Sequence, residues 1–229
     1  MFLASFAPGD WQSNCYLAGA DDTRECVIVD PGPGASVVVH EILAEHRRRP
    51  IAILATHGHP DHVGDAAALS EEFSVPVWIH SADQPLLDDP YAGVSADISG
   101  WLAVVLPDGM DTPKNVEHYD GHEALELAGL RFGLLHAPGH TGGSMLLHVE
   151  LPGDEPPAGV VFSGDVLFAG TVGRTDLPVS DPAAMRRTLA GPVLGLPDPT
   201  TVLPGHGSPT LIARERANNP YLQPAYLGL

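Results

Sequence analysis

The sequence predicts an α/β fold in which two β-sheets pack face to face with helices on their outer sides. Short apolar runs ended by turn residues recur in both halves of the chain. Segments with helical spacing follow the strands in each half, and no linker divides the halves. Residues 1–229 are therefore expected to form one domain.

In order, MFLASF, NCYLAG and CVIVD read as strands. The turn DPGPGA leads into SVVVHEILAEHRRR, whose apolar spacing is helical, and the basic cluster HRRRP at 46–50 suits a helix C-terminus electrostatically. PIAILAT reads as a buried strand, DAAALSEEF as a helix, VPVWIH as a strand, and SADQPLL as a helix start with Ser81 as its N-cap. Residues 88–116 fit no clean period and read as a long connection with one or two short helices, either a pocket lid or a surface excursion. ALELAGLRFGLLHAP reads as a hairpin turning at Gly129. SMLLHVEL and GVVFSGD are two more strands, joined by the proline-rich loop PGDEPPAG. DPAAMRRTL is a helix with Asp181 as N-cap and Pro182 in its first turn. TTVLPGHG is a last strand and loop, and SPTLIARERAN a final helix capped by Ser208.

Composition narrows the function. With 44% hydrophobic and 17% charged residues the chain reads as globular. It has no apolar run of about 18 residues, so no membrane span is expected. The N-terminal MFLASFAPGDWQSN lacks the basic and apolar regions of a signal peptide. Cys15 and Cys26 are too few for a disulfide framework, and a reduced, cytoplasmic chain is the simpler expectation, with a bridge between them the other. A formal net charge of −18 repels phosphate backbones, so nucleic acid is not expected as a partner.

The chemistry concentrates in LATHGHPDHVGDAA, residues 54–67. Neutral imidazole and ionised carboxylate are the ligands that zinc and its neighbours prefer. His57 and His59, two apart in an extended segment, point to the same side and can reach one ion. Pro60 then bends the chain, so Asp61 and His62 face another direction, where a second ion could sit. The helical pair of histidines four residues apart is absent. Further ligands are expected from His140 in APGHTGGS, Asp165 in VFSGDVLF and His206 in VLPGHGS, each placed after a buried strand in a tight glycine-containing turn. The remaining histidines read as structural: His40 and His46 on a helix, His118 and His122 flanking a loop, His136 and His148 in strands, and His80 at a strand end near the site edge.

Taken together, THGHPDH, GH at 139–140, SGD at 163–165 and PGH at 204–206, with NCYL near the start and VIVDPG at 27–32, resemble the metallo-β-lactamase superfamily over nearly the whole chain. The resemblance implies a four-layer αββα sandwich with the site at one edge of the two sheets. Carried over by position, His57, His59 and His140 would hold a first metal, Asp61, His62 and His206 a second, and Asp165 would bridge them. Asp30 matches an aspartate that supports the ligands from behind. The implied cofactor is a pair of divalent ions, zinc first, with iron or manganese as alternatives.

Within the superfamily the sequence is similar to short, single-domain glyoxalase II-type hydrolases. GTVGRTDLP at 170–178 is similar to a segment of that group and of persulfide dioxygenases, with Arg174 and Asp176 read as a structural pair. True β-lactamases usually lack a bridging aspartate, so Asp165 points away from antibiotic hydrolysis. Longer glyoxalase II enzymes carry a helical C-terminal domain that grips glutathione. Only residues 207–229 follow His206, so that domain is expected to be missing and the thiol is left open. The implied reaction is hydrolysis of a small 2-hydroxyacyl thioester by a metal-bridging hydroxide, with Asp61 and Asp165 as the catalytic carboxylates. A thiol with a pKa of about 8.5 leaves as thiolate without a dedicated acid, which an amine would need. Two rivals share the fold: an iron-dependent persulfide dioxygenase using His57, His140 and Asp165, and a non-catalytic metal-binding protein.

Overall fold

The structure, a computed structural model, describes residues 1–105, 109–151 and 159–229. Strands β1 (Phe2–Phe6), β2 (Cys15–Gly19) and β3 (Glu25–Val29) form an antiparallel ladder. Helix α1 (Ala35–His46) carries the chain to β4 (Arg49–Leu54), parallel to β3. Helices α2 (Pro60–Val63) and α3 (Ala66–Phe73) lead to β5 (Val77–Ile79), and α4 (Gln84–Asp88) and α5 (Ala96–Val105) lead to β6 (Val116–His118). These six strands lie in sequence order in one sheet.

The second sheet starts with the hairpin β7 (Ala124–Leu127) and β8 (Leu130–His136). Its two turn residues, Ala128 and Gly129, both take positive φ (51° and 73°), as a tight turn between twisted strands requires. Next come β9 (Met145–Glu150), β10 (Gly159–Gly164), the small hairpin β11 (Leu167–Phe168) and β12 (Thr171–Val172), and α6 (Pro182–Thr188). The chain ends with β13 (Thr201–Pro204), β14 (Thr210–Leu211), α7 (Ile212–Asn218) and α8 (Pro224–Leu227). The sheet order is β14-β13-β10-β9-β8-β7, antiparallel except for the β10–β13 pair.

Period-two alternation sorts the strand residues into layers. Tyr16, Ala18, Val27, Val29, Ala52 and Leu54 of the first sheet meet Phe132, Leu134, Leu147, Val149 and Phe162 of the second in one apolar core. The opposite faces are covered by helices. Val39 and Leu43 of α1 and Leu69 of α3 pack on Leu17, Ile28 and Ile53, while Met185 of α6 and Ile212 of α7 pack on Leu146, Val161 and Val202. This is the expected αββα sandwich. The C-terminal ends of two parallel pairs, β3 with β4 (Val29 opposite Leu54) and β10 with β13 (Gly164 opposite Pro204), deliver Asp30, His57, Asp165 and His206 toward one edge.

Several local expectations change. Helix α1 stops at His46 because Arg47 turns left-handed (φ 52°). The arginines that follow stitch neighbouring segments rather than serve the helix end. Arg48 donates to the carbonyls of Ala20 and Thr23 (2.8 and 2.6 Å) and covers the Phe2 ring, and Arg49 opens β4 and pairs with Glu25. Ser81 is not an N-cap: its hydroxyl donates to Asp120 at 2.6 Å, and His80 caps the turn by accepting from the Ala82 N–H. Ser208 does not cap the last long helix. Thr210 and Leu211 are drawn into β14 against β13, so α7 begins only at Ile212. His118 is the last residue of β6, at the start of the 119–123 connection, as expected. Asp181 does cap α6, accepting from the N–H groups of Ala183 and Ala184. Cys15 and Cys26 are buried and unbridged. Among the described residues no helix is long and apolar enough to cross a membrane. The loop PGDEPPAG lies outside the described residues except for Gly159.

Phe162 sits at the centre of the core, its ring 5.3 Å from Tyr16 and 6.3 Å from Phe132. Phe162→Ala is expected to cost about 3–5 kcal/mol, read as a lower urea midpoint at unchanged slope.

Candidate metal centre

The seven residues singled out by spacing come together at the sheet edge. They form three overlapping groups whose ligand atoms lie within 4.8 Å of one another: His57, His59 and His140; His57, His62 and Asp165; Asp61, His62 and His206. His57 follows β4 in a bend rather than on extended chain, His59 stands extended at the N-cap of α2, and Asp61 and His62 lie within that helix. Asp165 follows β10 and His206 follows β13.

Hydrogen bonding determines which nitrogen each ring presents. The Nε2–H of His59 donates to the Gly93 carbonyl (3.2 Å), which leaves Nδ1 as a lone pair. The Nδ1–H of His140 donates to the Arg174 carbonyl (2.9 Å), which leaves Nε2. These two bare nitrogens face each other at 2.9 Å. Thr56 Oγ1 donates to Asp30, so it accepts from His57 Nδ1–H at 3.1 Å and leaves His57 Nε2 inward. His62 Nδ1–H donates to Asp30 Oδ2 at 3.1 Å. His57 Nε2, His62 Nε2 and Asp165 Oδ1 are buried with no hydrogen-bond partner. Lone pairs converging in a dry site repel unless a cation lies among them, so the donor set fits metal ions.

The carboxylates complete the ring. Asp61 Oδ2 lies 3.1 Å from His206 Nε2 and 3.4 Å from His62 Nε2, and it accepts from the Ser13 hydroxyl at 2.9 Å. Asp165 lies 3.4 Å from His62 Nε2 and 3.6 Å from both His140 and His206, between the two outer groups. Asp30 takes a left-handed φ of 51° and accepts from Thr56 N–H and Thr56 Oγ1, each at 2.7 Å, as well as from His62. Such backbone strain persists where the surroundings over-determine a conformation.

Burial pushes the His57 imidazole far below its ordinary range, and His59 down to about 4. Burial alone would lower His62 too, but the carboxylates of Asp61 and Asp165 hold it well above the usual value. Burial would raise Asp61, yet His62 and the hydrogen bond from His206 keep it well below. Without a cation, a proton on His62 therefore balances the two acids.

A cavity of about 160 Å³ opens onto the centre, walled by Trp11, Val94, Ile98 and Leu177, with Arg174 at its rim. Val94 and Ile98 show that part of the 88–116 segment borders the site. Arg174 pairs bidentately with Asp176 (2.7 and 2.9 Å). His80 faces away from the cavity, stacked on His136 with ring centroids 4.1 Å apart. Sequence reading missed Ser13, Thr56 and the apolar wall. Thr56 was detectable as the hydroxyl abutting the histidine block, whereas nothing local marks Trp11 or Ile98.

A family profile described as the metallo-beta-lactamase superfamily matches residues 8–206. An uncharacterized protein of Mycobacterium tuberculosis is 37% identical over 224 residues, covering 97% of this chain and 98% of its own length. Hydroxyacylglutathione hydrolase GloC of Haemophilus influenzae is 35% identical over 214 residues, 93% of each chain. Among solved structures, BLEG-1, a B3 metallo-beta-lactamase, is 31% identical with a TM-score of 0.81, covering 97% of this chain and 100% of its own. TTHA1623 in a di-iron-bound form is 34% identical with a TM-score of 0.75 and the same coverage.

Because an ion must displace the proton from His62, zinc added to metal-free protein at pH 7 is expected to release at least one proton per chain. Affinity should fall as pH falls, since the proton then competes better. Titration calorimetry in two buffers of different ionisation enthalpy measures this, and equal heats in both would contradict it.

Proposed function

The chain belongs to the metallo-β-lactamase superfamily, and from that premise we propose that it is a metal-dependent hydrolase of small acyl thioesters, cleaving 2-hydroxyacyl thiol esters to hydroxy acid and thiol. The observation that carries this reading is the set of inward lone pairs in two adjoining groups, with Asp165 between them. We assign zinc as the ion, held as a pair by His57, His59 and His140 on one side and Asp61, His62 and His206 on the other. The likeness to a hydroxyacylglutathione hydrolase supports the thioester as substrate.

Two divalent ions held by these residues would supply Lewis acidity, lowering the pKa of water toward neutrality and polarising a carbonyl. The protein's own groups do the rest. Asp61 and Asp165 would offset the cationic charge, and both carboxylates line the cavity. The carbonyls of Gly93 and Arg174 hold the His59 and His140 rings in the tautomers that keep their inward nitrogens free. Trp11, Val94, Ile98 and Leu177 give an acyl group an apolar seat and exclude water. Among the described residues, those lining the cavity offer no acid beyond the candidate metal ligands to protonate an amine, whereas a thiolate needs none. The rim guanidinium of Arg174 is already neutralised by Asp176, so little there would grip an anionic thiol.

The test is metal content per chain on protein purified without added metal, followed by a lactoyl-thioester assay on the same sample. About two zinc per chain with hydrolysis is expected. His59→Ala should abolish turnover while circular dichroism stays native. Wild-type activity that survives complete chelation would contradict the reading. Given the likeness to a B3 metallo-beta-lactamase and to a di-iron form, the same sample is assayed with a β-lactam, and with a persulfide under oxygen. Iron with oxygen uptake would replace thioesterase by dioxygenase.

A further inference from the structure

Asp83 is 1% exposed and does nothing in the chemistry described so far. It stands at the N-cap position of α4, yet its carboxylate makes no bond to that helix. The side chain turns inward instead. Its Oδ2 accepts from the Gly58 N–H at 2.9 Å and from the Thr141 hydroxyl at 2.6 Å, and its Oδ1 accepts from the Gly143 N–H at 2.7 Å. Gly58 lies between His57 and His59, and Thr141 follows His140. One buried carboxylate thus ties together the two loops that carry the first group of inward nitrogens.

The surroundings are built for this contact. A Cβ on Gly143 would come within 2.6 Å of the Asp83 carboxyl carbon, and a Cβ on Gly58 would meet Leu86 at 2.8 Å and the Asp83 carbonyl at 3.0 Å. Both loops need glycine to lie this close to the start of α4. The second group is supported from elsewhere: Asp61 by Ser13, and His62 by Asp30, which also steadies His57 through Thr56. Among the described residues, Asp83 makes hydrogen bonds to Gly58, Thr141 and Gly143 and none to that side.

We infer that Asp83 is a positioning residue for one ion of the pair, the one held by His57, His59 and His140, whereas Asp30 reaches ligands on both sides, His62 directly and His57 through Thr56. Asp83 sets the spacing between the 57–59 loop and the 140 loop, seen in the 2.9 Å approach of His59 Nδ1 to His140 Nε2. The inference rests on the two-ion reading above, and the experiment separates the two.

Full-length wild type, Asp83→Asn and Thr141→Val are stripped of metal and titrated with cobalt(II), following the visible absorption band of each site and competing with a chelator. Asn puts an N–H₂ donor against backbone N–H donors, and Val removes one donor at nearly constant volume. Asp83→Asn is expected to weaken one site by about 10–100-fold and leave the other native. It should lower kcat more than it raises KM. Thr141→Val should show a smaller loss at the same site, with a urea midpoint close to wild type. Two native-affinity sites in both variants would overturn the inference, as would equal loss at both sites. If Asp83→Asn does not fold, Thr141→Val decides alone: one weakened site supports the clamp, and two unchanged sites overturn it. A wild type that takes up fewer than two ions overturns the two-ion reading itself.

Discussion

Everything at the functional edge answers one electrostatic constraint: imidazole lone pairs and carboxylates are packed together at the largely buried floor of a small cavity. In such a place each polar atom must find a partner or repel its neighbours. The protein meets the constraint by giving His59, His140, His57 and His62 one committed bond each on the outer side, to Gly93, Arg174, Thr56 and Asp30, so that the other nitrogen has only the interior to face. The fold follows from the same need. The outer bonds come from loops at the ends of strands in different sheets, so the sheets must end at a common edge. Asp30 must leave its strand left-handed to reach both Thr56 and His62.

The two carboxylates that hold this arrangement from behind divide the work by position. Asp30 comes from the end of β3 and grips the segment after β4, joining neighbouring strands of one sheet. Asp83 reaches from the start of α4 to the loop after β8, joining the first half of the chain to the second. Neither touches the cavity, and both act through the loops they hold.

How much of this was legible in the sequence depends on how local the cause is. The block His57–His62 carries much of its own geometry, since Pro60 opens a helical turn that sets Asp61 and His62 apart from the extended His59. Asp181 and Pro182 likewise start α6 by local bonds alone. Ser81 and Ser208 look like equally good caps but are overruled from a distance. Asp120 takes the Ser81 hydroxyl, and β13 pulls Thr210 and Leu211 into the sheet. Asp83 reads locally as an ordinary helix-start residue, and only the approach of the 140 loop, far along the chain, gives it another task. Trp11 and Ile98 meet at the cavity for the same reason.

The seam between the chain's beginning and its end has a consequence for how the molecule matures. Ser13 bridges to His206, and the Asn14 amide donates to the carbonyls of Pro204 and Gly207 at 2.9 Å each, across 190 or more positions. During synthesis the four early donors at 57–62 leave the ribosome long before their late counterparts exist. The cluster is therefore complete only once the last loop has arrived to fasten the seam.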